Sequence, residues 1–204
     1  MRKNTLQNVP DTAPLPAPPE DGDAVDKSLM ARTQRGDDEA FAELIQRHQR
    51  PLMNFFVRSG VYTDAEDFVQ ETFLRLHRYR MRYRPSAKFT TFLYLLARQV
   101  RIDALRRMSR RTAWIQNAGR ELPQAAVPTA TETGEALDVL AALARLSDAM
   151  REVVVLATMQ GMTQEEVAEV LGIPVGTVKS RLSNAIKAMR EDLGVRHEKE
   201  TRDV

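Results

Sequence analysis

The chain has 204 residues, of which 43% are hydrophobic and 28% charged, and it contains no cysteine. This length allows one ordinary domain or two small ones, with the composition of a globular protein. The lack of cysteine excludes disulfides, thiolate catalysis and cysteine-ligated zinc. The three histidines lie far apart in the sequence, so we expect no metal and no other cofactor. No segment approaches the roughly 20 apolar residues of a membrane-spanning helix, and the first residues lack the apolar core of a signal peptide. We therefore expect a cytoplasmic protein without membrane insertion.

The net charge of +2 is unevenly distributed along the chain. Residues 28–110 carry a net charge of +7, whereas residues 137–204 carry −2. Within 71–110, 11 basic side chains face only two acids, Glu71 and Asp103. A basic block usually forms a solvated surface, but aromatic residues within it favour nucleic-acid binding.

The first 27 residues hold five of the ten prolines and show almost no apolar periodicity. This composition predicts a disordered head, with a proline-motif ligand as the alternative. Residues 28–110 are predicted to form a first helical domain, because apolar residues recur at spacings of three and four in three stretches. Pro51 predicts a kink or break, Gly60 a helix end, and Thr63 with Glu66 a capping box. Thr90 or Thr91 is predicted to cap a third long helix.

Residues 111–136 lack sustained periodicity and are predicted to be a linker, with Trp114 packed back on a domain. Helical periodicity returns over 137–193, and 194–204 are predicted to be a disordered tail. No stretch carries a β-strand pattern. We therefore predict an all-α fold of two small helical domains joined by a flexible linker.

The second domain has the pattern of a helix-turn-helix. Thr163 and Glu166 predict a capping box, Gly172 a helix end and Thr177 the cap of the next helix. On that helix, Val178, Leu182 and Ala185 fall on one side, and small polar and basic residues fall on the other. Such a face suits the DNA major groove, although a solvated face on a bundle helix is the simpler alternative. The predicted DNA contacts are Thr177, Lys179, Ser180, Arg181, Ser183, Asn184 and Lys187.

The basic block of the first domain interleaves arginines with tyrosines. Aromatic rings stack on unpaired bases while arginines follow the backbone, a combination suited to single-stranded or opened DNA. Phe89 and Phe92 fall at core spacing, so Tyr79, Tyr83 and Tyr94 are the stacking candidates.

The predicted helix after Thr63 begins with a run of acids. The helix dipole accounts for Asp64 and Glu66, but it explains Asp67, Gln70 and Glu71 poorly. Paired carboxylates also suit acid–base catalysis or a divalent metal, but no histidine or glycine loop lies nearby. We interpret the stripe as a partner-binding surface.

Two segments resemble a known family. Asp64-Ala-Glu-Asp-Phe-Val-Gln-Glu-Thr-Phe-Leu-Arg-Leu76, with the stretch from Phe89 to Arg107, is similar to the second conserved region of bacterial sigma factors. Arg151-Glu152-Val153 with the Thr163–Arg190 helix-turn-helix resembles the fourth. Having these two regions without a third domain is typical of the extracytoplasmic-function (ECF) group. The chain departs from the family at Phe92, Gln99 and Ser147, where Trp, Asn and Pro are usual.

The resemblance implies that the protein binds core RNA polymerase, directs it to promoters and helps to open the DNA. It implies promoter DNA and an anti-sigma factor as partners, and a chain that is monomeric when free. Contacts to the clamp of the largest polymerase subunit would come from Asp64, Asp67, Gln70, Glu71 and Arg75. The minus-thirty-five element would be read by the helix from Thr177. The minus-ten element would be recognised and melted by Tyr79, Tyr83, Arg84, Lys88, Tyr94, Arg98, Gln99, Arg101, Arg106 and Arg107.

Three other classes stay open at this point. A two-domain regulator that binds an operator would explain the helix-turn-helix but not the acidic stripe, and such a regulator would usually dimerise. A helical adaptor would leave the polar helix face unexplained. An enzyme has least support, because the sequence around Gly176 lacks the Gly-Lys-Ser order and preceding strand of a phosphate loop.

Overall fold

The computed structural model describes residues 22–117 and 134–200, and within them it contains helices, turns and short connections but no strand. The predicted all-α class and the two helical domains are confirmed. The elements are α1 (Gly22–Gln34), α2 (Asp38–Arg58), α3 (Ala65–Tyr79), a 3-10 turn (Arg80–Arg82), α4 (Phe89–Asn117), α5 (Gly134–Arg145), α6 (Asp148–Val154), a π-helical segment (Val155–Met159), α7 (Gln164–Leu171) and α8 (Val175–Glu200).

Helix α1 begins six residues before the predicted start of the first domain at residue 28. Its buried positions are Gly22, Asp26, Leu29, Met30 and Thr33. Only two of these are apolar, so the helix leaves little apolar pattern in the sequence. The part of the predicted disordered head that precedes residue 22 lies outside the described residues.

Polar side chains tie α1 to its neighbours. The carboxylate of Asp26 accepts hydrogen bonds from Arg47 Nε at 2.7 Å and His48 Nε2 at 2.9 Å, both on α2. Burial alone would raise the pKa of Asp26, but the hydrogen bonds and charges of His48 and Arg47 lower it overall. Asp23 Oδ1 accepts from the backbone amide of Phe89 at 2.7 Å, so α1 caps the start of α4.

Helix α2 runs through Pro51 without the predicted break. Leu44 and His48 before the proline and Leu52 and Phe55 after it are all buried on one face. Packing on both sides of Pro51 holds the helix together despite the hydrogen bond that proline cannot donate.

Helix ends agree with the sequence at the glycines and differ at several predicted caps. Gly60 and Gly172 adopt positive φ values of 88° and 64° directly at helix ends, as predicted. The predicted Thr63 box is wrong, because Asp64 is the residue before α3 and makes no side-chain cap bond. The two remaining differences are small shifts of helix starts: α4 begins at Phe89, and α8 begins at Val175 because the carbonyl of Pro174 accepts from the amides of Thr177 and Val178.

Helices extend into both segments that were predicted to be non-helical, the linker 111–136 and the tail 194–204. The backbone of residues 111–117 continues α4, and 134–136 already belong to α5. The first part of the predicted tail, 194–200, continues α8, because after Gly194 it consists mainly of residues that favour helix. Residues 118–133 and 201–204 lie outside the described part of the chain, as does the packing of the Trp114 side chain.

The two helical domains lie against each other. Helix α4 contacts α7, and α2 contacts the π-helical segment, so the buried apolar side chains form one continuous cluster. Among the described residues, no helix combines the length and apolar character needed to traverse a lipid bilayer.

Candidate polymerase- and DNA-binding faces

Helix α8 presents the polar face that its sequence predicts. Val178 and Ala185 are fully buried, and Leu182 and Met189 pack against the core. On the opposite side the predicted contact residues are exposed, except that Thr177 and Arg181 are half-buried. The exposed ones are Lys179, Ser180, Ser183, Asn184 and Lys187. Small polar side chains between lysines allow the close approach that base edges and phosphates require.

Helix α7 and the turn after it hold α8 in place. The predicted capping box is confirmed: Thr163 N donates to Glu166 Oε2 at 2.9 Å, and Glu166 N donates to Thr163 Oγ1 at 3.2 Å. Val167 and Leu171 are buried beneath α8. Gly172 then ends the helix in the left-handed conformation, which glycine adopts without strain. This is the helix-turn-helix geometry, with α8 as the helix offered to DNA.

The acidic stripe lies along the exposed side of α3. Asp64, Asp67 and Gln70 are exposed, whereas Ala65, Val69 and Phe73 on the other side are buried. The stripe therefore stands on a well-packed helix. No group of three or more His, Asp or Glu side chains could hold a metal ion in the described ranges.

Glu71 and Arg75, the other two predicted polymerase contacts, are engaged within the protein. Arg75 Nε lies 2.8 Å from Glu71 Oε1, and Arg75 Nη1 lies 2.8 Å from Asp103 Oδ2 on α4. The Arg75 side chain is only 16% exposed. These two residues therefore also fix α3 against α4.

Of the three predicted stacking tyrosines, Tyr83 and Tyr94 are buried, which corrects the expectation that their rings are exposed. The Tyr83 ring packs 6.1 Å from Phe89 and 5.3 Å from Phe92, between ring centroids. Burial, with the charges of Asp23 and Asp26 adding to it, raises the pKa of Tyr83 to about 12. Alternation with arginines cannot distinguish a ring that faces solvent from one that faces the core.

Tyr79 remains half-buried beside the 3-10 turn, with the guanidinium of Arg82 5.5 Å from its ring centroid. The exposed minus-ten candidates are Arg84, Lys88, Gln99, Arg106 and Arg107. Arg106 and Arg107 line an open groove together with Arg110 and Ser109. This part of α4 can hold a phosphate backbone electrostatically.

Four of the minus-ten candidates face the second domain: Lys88, Tyr94, Arg98 and Arg101. Tyr94 is 3% exposed, and its hydroxyl donates to Gln160 Oε1. Arg101 Nη1 lies 2.6 Å from Glu152 Oε1. Tyr94 and Arg101 lie seven residues apart on one side of α4. That side packs against α7 and bonds to Gln160 and to Glu152 of α6.

Comparison with known proteins connects these faces to one family. The model of sigma-70 region 2 matches residues 44–111, and that of sigma-70 region 4 matches residues 136–189. The RNA polymerase sigma factor CarQ of Myxococcus xanthus is 33% identical over 168 residues, covering 81% of this chain and 95% of CarQ. The chain belongs to the ECF group of sigma factors. The ECF sigma-E factor of Escherichia coli K12 is 29% identical over 175 residues, which cover 80% of this chain and 92% of that protein.

Two solved structures share the fold of this sigma factor. CnrH, in complex with the cytosolic domain of CnrY, has a TM-score of 0.65 and 26% identity, covering 84% of this chain and 98% of that one. The sigma factor RpoE of Bartonella quintana, in complex with the anti-sigma factor NepR, has a TM-score of 0.64 and 25% identity, covering 76% and 97%. As an ECF sigma factor, the protein directs RNA polymerase to promoters.

Sequence reasoning missed several residues that build the faces of this sigma factor. Asp23 caps α4, and Glu152 and Gln160 contact side chains predicted to bind DNA. None lies near its partner in sequence, so no local spacing could have found them. Ser147, where the family usually has Pro, accepts a hydrogen bond from Met150 N and caps α6.

Proposed function

We propose that this sigma factor divides its task among three faces: the exposed side of α3 binds core polymerase, α4 with the preceding turn binds the minus-ten element, and α8 reads the minus-thirty-five element. The observation that carries the proposal is the exposed polar face of α8 above buried Val178 and Ala185, within a capped helix-turn-helix. A regulator that only binds an operator would need only the polar face of α8. The acidic α3 and the arginine-rich α4 supply the two further surfaces that promoter opening by polymerase requires.

Three exposed side chains are available to the clamp of the largest polymerase subunit: Asp67 and Gln70 on α3, and Asp64 directly before it. Their exposure leaves the carboxylates hydrated and open to a basic partner surface. Glu71 can add a contact only from within its ion pair with Arg75, so its first role is to position α3 on α4.

On α4, Arg106 and Arg107 are proposed to hold the phosphates of the minus-ten element, with Gln99 and Arg84 beside them. Tyr79 is the stacking group nearest the surface. Tyr83 belongs to the core between Phe89 and Phe92, so it supports the site without touching a base. Strand opening would then rest on Tyr79 and on Tyr94 once the latter is uncovered.

The partners proposed for the chain are core RNA polymerase, promoter DNA and an anti-sigma factor. The last is supported by the Bartonella quintana neighbour, which was solved with its anti-sigma factor NepR. We expect a cytoplasmic chain, because its proposed partners, RNA polymerase and promoter DNA, are in the cytoplasm. We also expect the chain to be monomeric when free. The proposed role is that of a DNA-binding transcription initiation factor and not of an enzyme.

Run-off transcription with purified bacterial core polymerase on a library of promoter fragments tests the proposal. The wild-type chain should give discrete transcripts whose start sites share elements near minus ten and minus thirty-five. A chain with Lys179→Ala and Lys187→Ala should lose transcripts that depend on the upstream element. Transcription by core polymerase that does not depend on the addition of this chain would favour a conventional repressor or activator. Operator binding by a dimer of the chain would favour the same class.

A further inference from the structure

The connection between α3 and α4, residues 80–88, forms a basic loop in front of α4. It begins with the 3-10 turn, and its basic residues are Arg80, Arg82, Arg84 and Lys88. All of them except Arg80 are exposed. Arg84 and Lys88 are minus-ten candidates, so the path of this loop decides where their side chains meet DNA.

Helix α1 holds the loop at both ends. At the first end, Gln34 Nε2 donates to the carbonyl oxygens of Arg80 at 2.8 Å and Tyr83 at 3.2 Å. At the second end, Asp23 Oδ1 accepts from the backbone amide of Phe89 at 2.7 Å. Asp23 and Gln34 lie at opposite ends of α1, about 16 Å apart along its axis. One helix therefore fixes the distance that the loop has to span.

The helix that holds the loop is itself fixed to α2. Asp26 accepts from Arg47 at 2.7 Å and from His48 at 2.9 Å. Near the other end of α1, Arg32 Nε donates to Asp37 Oδ2 at 2.8 Å. None of these partners belongs to the loop. The loop is thus placed relative to α2 through α1, and not only by its own residues.

The bonds from Gln34 place the loop more than they stabilise the chain. The Arg80 carbonyl also accepts from the amide of Tyr83 at 3.3 Å, and the Tyr83 carbonyl also accepts from Arg84 Nη1 at 3.2 Å. Loss of Gln34 therefore leaves neither carbonyl without a hydrogen bond, so the large cost of an unsatisfied buried group is avoided. What is lost is the link between the loop and α1.

We propose that Gln34 and Asp23 are positioning residues for minus-ten recognition: through their bonds to the backbone, α1 sets the path of the loop 80–88 and thereby the base selectivity of the minus-ten face. The inference rests on the proposed function of α4 and its preceding turn. It adds that selectivity depends on a helix that carries none of the predicted DNA contacts. Hydrogen bonds to base edges weaken steeply with distance and angle, so a small displacement of the loop is enough to lower selectivity.

Three variants test the two ends of the loop. Gln34→Met keeps the length of the side chain and removes both donors. Asp23→Ala removes the acceptor for the Phe89 amide, whereas Asp23→Asn keeps an oxygen in that place and removes only the charge. If position is what matters, Asp23→Asn should behave as wild type and Asp23→Ala should not.

Asp37→Ala is the matched control for Asp23→Ala. Asp23 caps α4 and its second oxygen lies 2.8 Å from Lys27 Nζ on α1. Asp37 in the same way accepts from the amide of Ala40, at 3.0 Å, and pairs with Arg32 on α1. Both changes therefore remove a helix cap and an ion pair of α1, but only Asp23 touches an end of the loop.

The assay is run-off transcription by core polymerase with each chain, on a promoter library randomised over the minus-ten element, with transcripts counted by sequencing. Discrimination is the ratio of transcripts from the preferred base to those from another base at one position. A good base contact discriminates by roughly 5- to 150-fold. Gln34→Met and Asp23→Ala should lower this ratio by about fivefold or more at one or more positions. Asp23→Asn and Asp37→Ala should change it by less than about twofold, as for sites that are not coupled.

Melting curves by circular dichroism on the same samples separate position from stability. Asp23→Ala and Asp37→Ala should lower Tm by similar amounts, while only the first changes discrimination. An equal fall of transcription on every library member, with unchanged ratios, would show a purely structural role and overturn the proposal. The same holds if Asp37→Ala lowers discrimination as much as Asp23→Ala does. If Asp23→Ala fails to fold, Gln34→Met decides alone.

The free chain gives a readout that does not need polymerase. Met81 is 62% exposed and the chain has no cysteine, so Met81→Cys allows a dye to be attached to the loop. Gln34→Met should lower the fluorescence anisotropy of this dye, and Asp37→Ala should leave it unchanged. Equal anisotropy in all three chains would contradict the hold of α1 on the loop.

The two readouts together distinguish this proposal from the proposed function. If wild type transcribes with a minus-ten preference, and Gln34→Met frees the loop without changing that preference, the positioning role alone is wrong. If wild type gives no transcripts with core polymerase while the dye still responds to Gln34→Met, the proposed function fails. The role of α1 in base selectivity then fails with it, although α1 still holds the loop.

Discussion

Reversal of charge on α3 should separate polymerase binding from folding. Asp67 is exposed in the first turn of α3, so Asp67→Arg should change the free energy of unfolding by no more than about 0.5 kcal/mol. Glu71→Arg differs, because it removes one of the two carboxylates around Arg75 and adds a second cation beside it. Loss of a fully buried partner costs about 3–5 kcal/mol and of an exposed one about 0–1 kcal/mol.

Glu71 is about one-third exposed and Arg75 keeps Asp103, so the expected cost of Glu71→Arg lies between these limits, at about 1–2 kcal/mol. For a chain of this size, that corresponds to a fall in Tm of roughly 2–8 °C. Asp67→Arg should leave Tm nearly unchanged. The two variants should both lose polymerase, but only one should lose stability.

The assay is a thermal melt by circular dichroism and a pull-down of core polymerase, performed on the same sample. Glu39→Arg is the matched control, since Glu39 is an exposed acid in the first turn of α2. It should keep both stability and polymerase. If folded Asp67→Arg captures polymerase as well as Glu39→Arg does, the stripe on α3 is not the polymerase-binding face.

The remaining predictions concern stability and DNA contact. Thr163→Ala should cost about 1 kcal/mol in urea unfolding, because its capping box is formed, whereas Thr63→Ala should stay within about 0.5 kcal/mol; equal costs would contradict the difference between the two helix starts. The lowered pKa of Asp26 stabilises the fold above the ordinary value of 3.8, and this contribution is lost as pH falls through the lower folded value. Asp26→Asn should therefore lower Tm at neutral pH and flatten the fall of Tm below about pH 4. A pH profile of Tm equal to that of the wild type would show that Asp26 does not contribute to the pH dependence of stability. Lys187→Ala should weaken DNA binding at every sequence and reduce the salt slope by about one, whereas Asn184→Ala should alter base preference, at roughly 1–3 kcal/mol per lost contact. Quantitative filter binding over a salt series distinguishes these two effects.

Local patterns predicted the parts of this fold that local interactions decide. Gly60 and Gly172 end helices as expected, and the face of α8 follows from its spacing alone. The two Thr-x-x-Glu sequences show the limit of such patterns. The box at Thr163 forms, but α3 begins after Asp64, so the Thr63 hydroxyl is out of register with the first free amides.

Contacts between distant segments could not be predicted in the same way. Helix α1 buries Asp26 and Thr33 against partners in α2 and in its own backbone, so its buried face does not look apolar in the sequence. Tyr94 and Arg101 look like nucleic-acid ligands because their covering groups lie more than 50 positions further along the chain. Their residue types and spacing are the same whether DNA or the second domain covers them.

The hydrogen bond from the Phe89 amide to Asp23 joins positions 66 residues apart. The order of synthesis therefore bears on how this bond forms. The ribosome releases α1 before α4 exists, so the acceptor for the first amide of α4 is already in place when that helix emerges. A fragment that started at Ser28 would lack both this acceptor and the carboxylate that binds Arg47 and His48. The helix that carries the minus-ten side chains would then have to form on an incomplete template, although none of its own residues had been removed.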